Sequence, residues 1–279
     1  MDTDLLGRFE ELPYPLARMA TVDTVRVGLA KHHIPALLEV DVTAARAAIA
    51  QAKRAGRDVS FTGWAVWCVA RAAAEHKRVH ALRKGRRSLV VFDDVDVALA
   101  VFRQVKDDAA GERIPMPFVV RRANERSVEQ IAAALRGAQT RPLAPGEQWL
   151  DPSGFAPPPR LVRLAFGVPF RLRKWLYWDR LLGDPFRVKR TMGTVMVTSV
   201  PLATKSGGGA WAIPVGIHPL IVALGAIGRR APAAADDAAL GAREVLSLTV
   251  LFDHDVTDGV PVARFLRMLV DLMETAAGL

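Results

Sequence analysis

The sequence predicts an α/β protein, a two-layer sandwich in which helices cover a mixed β-sheet. Strand-like apolar runs and amphipathic helical segments both occur, but they do not follow the strict strand–helix–strand rhythm of a doubly wound fold or a TIM barrel. The chain has 279 residues, of which 51% are hydrophobic and 24% charged, as expected of a globular protein with a sizeable core. No internal repeat is evident. We therefore expect residues 1–279 to form a single domain.

The first half of the chain contains most of the predicted regular elements. Residues 1–30 are interpreted as an N-terminal arm that ends in a short helix or strand. Thr43 and Ser60 each precede an amphipathic segment and are expected to cap a helix, and Ser127 with Gln130 fits a capping box. In chain order, we predict a strand at 34–42, a helix at 44–54, a helix from 61 towards 76, strands at 88–92, 96–102 and 117–120, and a helix from 127 to 137.

Residues 142–190 interrupt this pattern. Proline and glycine are frequent up to residue 159, and from residue 160 onwards arginine and lysine alternate with aromatic side chains. We interpret residues 142–190 as a basic aromatic insertion in the domain. Regular structure is predicted to resume with strands at 193–200, 219–227 and 245–251 and a helix at 262–270.

The composition limits the chemistry and the location of the protein. The single cysteine, Cys68, excludes an intramolecular disulfide and shares a helical face with Phe61 and Trp64, which indicates a thiol packed in the core. Residues 1–6 lack the features of a signal peptide, and no apolar run approaches the roughly 20 residues that cross a bilayer. We therefore expect a cytoplasmic protein. The net charge of +9 suits any polyanionic ligand, and no nucleic-acid-binding motif accompanies it.

The motif at residues 252–259 carries the strongest functional signal. It places His254 four residues before the pair Asp258-Gly259, directly after the strand predicted at 245–251. A neutral imidazole at the end of a strand is a suitable general base near pH 7. The other histidines show no spacing that is typical of a metal site, and we predict no bound metal.

This motif and the residues after it resemble the end of the catalytic domain of dihydrolipoamide acyltransferases, the acyltransferase components of 2-oxo acid dehydrogenase complexes. The family signature is Asp-His-Arg-x-x-Asp-Gly followed by Ala-Arg-Phe-Leu. The residues in register with it are Asp253, His254, Asp258, Gly259, Ala263, Arg264, Phe265 and Leu266. The related chloramphenicol acetyltransferases share only the His-x-x-x-Asp-Gly core. The resemblance implies the chloramphenicol acetyltransferase-like fold, which agrees with the sandwich predicted above.

Further segments resemble the same family in the same order along the chain. Residues 15–19 are similar to the Pro-Leu-x-x-Met that opens its catalytic domain, and His33 with residues 38–43 is similar to its first strand. Residues 193–199 are similar to its Gly-Thr-Phe-Thr-Ile-Ser-Asn strand, and residues 223–227 to its Ala-x-Gly-x-Ile strand. The resemblance therefore covers most of the chain outside the insertion.

The resemblance also implies a reaction and the residues that carry it out. The family transfers acyl groups between coenzyme A and a thiol, so acyl-coenzyme A is the expected substrate. His254 would be the general base that deprotonates the attacking thiol. Thr198, or failing that Ser199, would donate a hydrogen bond to the tetrahedral oxyanion. Asp258 would support the turn of the active-site loop, and His33 is expected to be structural.

Two departures from the family pattern have chemical consequences. Asp255 stands where the family has arginine, and a carboxylate close to His254 would favour imidazolium and hinder general-base action. The sequence contains neither a lipoyl domain nor a peripheral-subunit-binding domain, so no lipoyl group is expected on this chain. A lipoyl-bearing or dehydrogenase-complex partner would have to supply or accept acyl groups in trans.

The resemblance implies a homotrimer, or a multiple of one, with the active site between subunits. A catalytically inactive trimeric scaffold or assembly protein with the same fold is the competing hypothesis. For residues 160–190, either the segment packs on its own or a neighbouring subunit, or it contacts a membrane surface. Packing is the simpler interpretation, and we do not expect nucleic-acid binding.

Overall fold

The computed structural model describes residues 7–12, 14, 16–104, 113–141, 164–200, 208–231 and 242–279. Short 3-10 turns at Lys77–His80 and Ala123–Glu125 lie between some of the regular elements. The main helices are α1 (Leu16–Gly28), α2 (Thr43–Arg54), α3 (Phe61–Glu75), α4 (Val128–Thr140), α5 (Phe170–Arg173, the π-helical turn Lys174–Trp178, and Asp179–Leu182), α6 (Pro185–Met192) and α7 (Gly259–Glu274). The strands are β1 (His33–Asp41), β2 (Leu82–Lys84), β3 (Ser88–Val90), β4 (Val97–Gln104), β5 (Arg113–Val120), β6 (Val195–Ser199), β7 (Leu220–Arg230) and β8 (Arg243–Asp253).

The predicted fold class, an α/β sandwich with a mixed sheet, is confirmed. Six strands form one sheet in the order β1-β8-β7-β6-β4-β5. The pairs β4–β6 and β6–β7 are parallel, whereas β1–β8, β7–β8 and β4–β5 are antiparallel. Alternate side chains of the strands pack with the helices in one large apolar core.

Helix α3 is the centre of the helical layer, as its unbroken apolar face predicts. It packs against both α4 and α7. Its N-cap is Ser60, whose hydroxyl accepts a hydrogen bond from the Gly63 amide at 3.1 Å. Trp64 is fully buried and its indole N–H donates to the carbonyl of Ala277 at 2.9 Å. Cys68 is fully buried too, so the prediction of a core thiol is confirmed, and burial raises the pKa of that thiol.

The predicted cap at Thr43 is wrong. Helix α2 begins at Thr43 itself, after Val42, and no side chain caps it. The Thr43 hydroxyl instead donates to the Asp41 carboxylate at 2.6 Å and accepts from the Glu244 amide at 2.8 Å. The hydroxyl thus fastens the start of α2 to β8, because a tertiary partner competes with the local cap.

The strands predicted at 88–92 and 96–102 form, but they belong to different sheets. Strand β3 pairs with β2 in a separate two-stranded hairpin, whereas β4 lies in the main sheet between β6 and β5. Strand β5 is longer than the segment predicted at 117–120. The capping box is confirmed, since Ser127 and Gln130 exchange both hydrogen bonds at the start of α4.

The described part of the basic aromatic insertion, residues 164–190, is largely helical and packs on its own subunit. Trp178 and Leu181 of α5 form a second, smaller core with Val27 of α1. Beside this core, Arg173 makes a two-pronged ion pair with the buried Asp23 of α1, both distances being 2.8 Å. Residues 142–163 lie outside the described ranges. Within the N-terminal arm predicted at 1–30, Leu16–Gly28 form α1, and α1 packs against α5.

Candidate functional site

The turn after β8 is built around a buried carboxylate. Asp253, the last residue of β8, is fully buried, and its carboxylate accepts from Lys31 Nζ at 2.9 Å and from the Asp255 amide at 3.1 Å. Its carbonyl accepts from the amides of Val256 and Thr257. Because each of these bonds closes part of the turn, Asp253 determines the path of the residues that follow it.

His254 stands at the tip of this turn with its ring exposed to solvent. Strand β1 pairs with β8 up to the register pair His33–Asp253, and the His254 amide then donates to the His32 carbonyl at 3.0 Å. The imidazole lies 6.3 Å from the ring of Phe252, centroid to centroid. It has no hydrogen-bond partner within the described ranges. The structure thus presents an imidazole that is positioned by backbone and open to a substrate.

The Asp255 carboxylate contacts side chains other than His254. The carboxylate accepts from His32 Nδ1 at 2.9 Å and lies 3.5 Å from an Arg83 guanidinium nitrogen. The hydrogen bond from His32 and the nearby cations lower the pKa of the Asp255 carboxyl. The Asp255 carboxylate is therefore engaged by His32 and Arg83, and no hydrogen bond joins it to the His254 side chain among the described residues.

Lys31, His32 and Arg83 are site residues that the sequence reasoning missed. Lys31 and His32 immediately precede β1, and their position beside the motif follows from the β1–β8 pairing, which no local pattern reveals. Arg83 comes from the β2–β3 hairpin, far away in sequence. The His33 Nε2 donates to the carbonyl of His218 at 2.8 Å, and the structural role expected for His33 stays a prediction.

Asp258 is the N-cap residue of α7. Its carbonyl accepts from the Val262 amide at 3.3 Å, whereas its carboxylate makes no capping hydrogen bond. Since Asp258 begins the helix and Asp253 ends the strand, residues 254–257 form a short connection with little freedom. The position of Asp258 is compatible with the supporting role predicted for it.

Thr198 lies on β6, away from His254 of the same chain. It is in register with Ala223 of β7, which is in register with Thr249 of β8. His254 is two strands across from Thr198 and five residues beyond Thr249, just past the end of β8. With strands about 4.8 Å apart and about 3.3 Å per residue, the two residues are roughly 19 Å apart. One protomer therefore does not bring them together.

The start of β6 is held by tight contacts that involve the Gly-Thr pair of the predicted strand. Gly193 has a φ of 75°, and a side chain there would place its Cβ 2.5 Å from the Asp96 carbonyl oxygen. That carbonyl accepts from the amides of Thr194 and Val195. The Thr194 hydroxyl is hydrogen-bonded to the buried His80 at 2.9 Å. These contacts position the strand that carries Thr198.

Three further observations bear on possible ligands. Among the described ranges, no three His, Cys, Asp or Glu side chains are grouped so that they could hold a metal ion. In the same part of the chain, no helix is long and apolar enough to cross a membrane. On α5, Trp175 and Tyr177 are exposed, and the Arg180 guanidinium lies over the Trp175 ring at 5.1 Å.

The C-terminal part of the chain matches a known family. The family of 2-oxoacid dehydrogenase acyltransferases, catalytic domain, matches residues 206–279, which include β7, β8 and the His254 turn. No curated protein matches the chain.

The whole chain is similar in structure to solved acyltransferase cores. Azotobacter vinelandii dihydrolipoamide acetyltransferase is 18% identical with a TM-score of 0.61, covering 98% of this chain and 95% of that one. A truncated catalytic core of the Thermoplasma acidophilum 2-oxoacid dehydrogenase complex is 19% identical with a TM-score of 0.60, covering 97% and 100%. A probable dihydrolipoamide acetyltransferase of Listeria monocytogenes 4b F2365 is 18% identical with a TM-score of 0.60, covering 96% and 95%. The resemblance and the fold predicted from the sequence are thus confirmed.

Proposed function

We propose that this protein is a coenzyme A-dependent acyltransferase, moving an acyl group between coenzyme A and a thiol or another small acceptor. The observation that carries the proposal is the position of His254. Its ring is exposed to solvent, while hydrogen bonds hold its backbone and both neighbouring residues in place. The match of residues 206–279 to an acyltransferase catalytic domain supports it.

In the proposed reaction His254 accepts the proton of the attacking thiol. The resulting thiolate attacks the thioester carbonyl and forms a tetrahedral intermediate with a negatively charged oxygen. When the intermediate collapses, the carbon–sulfur bond to the leaving thiolate breaks and imidazolium returns the proton to it. Asp255 does not oppose this cycle, because its carboxylate accepts a hydrogen bond from His32 and lies beside Arg83 and so does not pair with the His254 ring.

Thr198 is the proposed oxyanion donor, and its hydroxyl would donate to the tetrahedral oxyanion that forms beside the His254 of a neighbouring subunit. The separation of roughly 19 Å within one chain excludes a shared site in the protomer. A closed ring of subunits can bring one chain's β6 to the next chain's His254 turn. The similarity to the catalytic core of a multienzyme complex supports a homotrimer or a multiple of it.

The Azotobacter enzyme supports the same assignment. A serine, a histidine and an asparagine have a role in its catalytic mechanism, and the latter two stand four residues apart, as His254 and Asp258 do. We propose that Asp258 holds the turn that orients His254, while Thr198 supplies the hydroxyl.

The decisive experiment combines two inactive variants. His254→Ala should lower kcat/KM for acetyl-coenzyme A at least about 100-fold, as loss of a general base does, and Thr198→Ala should lower kcat. Co-expression of the two variants at equal levels should restore about one quarter of the wild-type sites if each site takes one residue from each of two subunits. His76→Ala is the matched control, because His76 lies outside the proposed site.

Two results would contradict the proposal. Co-expressed variants that stay inactive in an intact oligomer would show that His254 and Thr198 do not share a site between subunits. Wild type and His254→Ala that are equally inert towards a panel of acyl-coenzyme A donors with thiol, hydroxyl and amine acceptors would favour the scaffold.

A further inference from the structure

The β2–β3 hairpin is a dense cluster of positive charge. Four of the five residues from Arg83 to Arg87 are cationic, and all five are exposed. The fifth, Gly85, has a φ of 63°, which allows the tight turn of the hairpin. The hairpin carries the cations close together on a short, separately paired ribbon.

The hairpin is anchored beside the proposed catalytic turn. The Arg83 guanidinium lies 3.5 Å from Asp255, the residue after His254. On the other side, Lys84 Nζ lies 5.4 Å from the centre of the Phe186 ring, which itself packs edge-on against Phe92 at 6.1 Å. The base of the hairpin is therefore held between the His254 turn and α6.

The tip of the hairpin has charge that no carboxylate of the described residues balances. Arg83 pairs with Asp255 and Lys84 with an aromatic ring, whereas Arg86 and Arg87 have no carboxylate partner in the part of the chain that the structure describes. Two adjacent unpaired guanidinium groups repel each other, and a bound multivalent anion would relieve that repulsion.

We infer that Arg86 and Arg87 bind the phosphate groups of acyl-coenzyme A, an assignment that rests on the proposed function. The thioester of this substrate reacts at His254, while the pantetheine arm separates it from a diphosphate and a ribose phosphate. A cationic tip that is anchored next to the catalytic turn is suited to hold those groups. Guanidinium binds phosphate through paired N–H donors, which makes arginine well suited to this task.

The reversal variant Arg86→Glu/Arg87→Glu tests this assignment. Because the phosphates do not take part in the reaction, the variant should raise KM for acetyl-coenzyme A by on the order of 10- to 100-fold and leave kcat unchanged. Acetyl-pantetheine lacks the phosphates, so its kcat/KM should be the same in variant and wild type. Arg83 is kept because it contacts Asp255. Lys53→Glu/Arg54→Glu, an adjacent and exposed pair at the end of α2, is the matched control and should leave KM unchanged.

Calorimetric titration with coenzyme A, dephospho-coenzyme A and pantetheine separates the two proposals. Coenzyme A that binds to wild type but at least 10-fold more weakly to the reversal variant supports the inference even if no acyl transfer is detected. Equal affinity of both proteins for coenzyme A overturns it, whether or not His254 is catalytic. The inference also fails if the variant lowers the affinity for pantetheine as much as the affinity for coenzyme A. The substitutions would then affect binding by disturbing the His254 turn, because pantetheine has no phosphate for the hairpin to bind. Weaker binding of dephospho-coenzyme A would identify the ribose phosphate as the group held.

Discussion

Two buried histidines make the stability of this protein dependent on pH in a range where few other groups titrate. His80 is fully buried behind β6, and His218 is almost fully buried before β7. His80 Nδ1 is bonded to the Thr194 hydroxyl, and His218 Nε2 donates to the Met192 carbonyl. Within the described ranges their second ring nitrogens have no partner.

The loss of stability on acidification can be worked out from these environments. Burial lowers the pKa of His80 and of His218 from 6.5 to about 4, because the charged ring would be desolvated and nearby lysines oppose it. The unfolded chain therefore binds these two protons first as the pH falls below 6.5. Well below pH 6.5 each histidine costs about 1.4 kcal/mol of unfolding free energy per pH unit, so between pH 7 and 5 the pair removes about 4 kcal/mol. At pH values well above 6.5 neither histidine changes the free energy of unfolding with pH.

Urea unfolding followed by tryptophan fluorescence at pH 7, 6 and 5, at one protein concentration, measures this effect. Asp255 and Glu129, whose carboxyl pKa values are lowered from 3.8 and 4.5, take up protons below this window. His80→Asn keeps a polar atom near Nδ1, and His218→Gln keeps one near Nε2. Each variant should flatten the pH dependence by about 1.4 kcal/mol per pH unit.

His76→Asn is the control for replacing a histidine on the segment that holds His80. Wild-type stability that is equal at pH 7 and pH 5 would refute the reasoning. So would a pH dependence in His80→Asn and His218→Gln that matches the wild type, since the protons would then bind elsewhere.

Two predictions concern the contacts that position the site. Gly193→Ala should lower the unfolding free energy by on the order of 2–3 kcal/mol, because a side chain strains the left-handed backbone and the new Cβ meets the Asp96 carbonyl. Gly56→Ala is the control in the same urea assay. Its φ is 77° but the space around it is open, so it should lower the unfolding free energy by only about 1 kcal/mol. Lys31→Met leaves the buried Asp253 carboxylate without its cation. It should lower the unfolding free energy by about 1–2 kcal/mol, after allowance for the partial exposure of Lys31, and it should also lower kcat. Lys77→Met, whose partner is exposed, should change neither quantity, and an equal effect of the two lysine variants would contradict the role given to Lys31.

The local part of the structure could be predicted from the sequence because it depends on neighbouring residues. The apolar face of α3, the cap at Ser60 and the capping box at Ser127 all follow from side chains within one helical turn, and all are confirmed. The fold class followed from the mixture of strands and helices together with the ordered resemblance. The role of His254 stays a prediction, but its place at the end of a strand was predicted correctly.

The features that the sequence did not predict correctly, or did not predict at all, share a physical cause: they depend on partners that are far away in the chain. Thr43 was expected to cap its own helix and instead bonds to Glu244, 201 residues away. The strands at 88–92 and 96–102 were predicted as strands, but their partners were not: β3 pairs with β2, whereas β4 pairs with β5. Strand pairing connects residues that are far apart in the chain, and hydrophobic alternation does not specify the partner.

The motif after β8 likewise combines features that follow from local sequence with features that only the tertiary structure determines. The sequence by itself determined that a histidine follows a buried strand and that an amphipathic helix comes after the Asp258-Gly259 turn, because both follow from local pattern and turn chemistry. Only the tertiary structure decided that Asp255 binds His32 and Arg83, because the β1–β8 pairing and the β2–β3 hairpin bring those side chains to the turn. It also decided that Thr198 lies two strands away from His254. Strand order and register determine that separation, so a shared active site requires a second subunit.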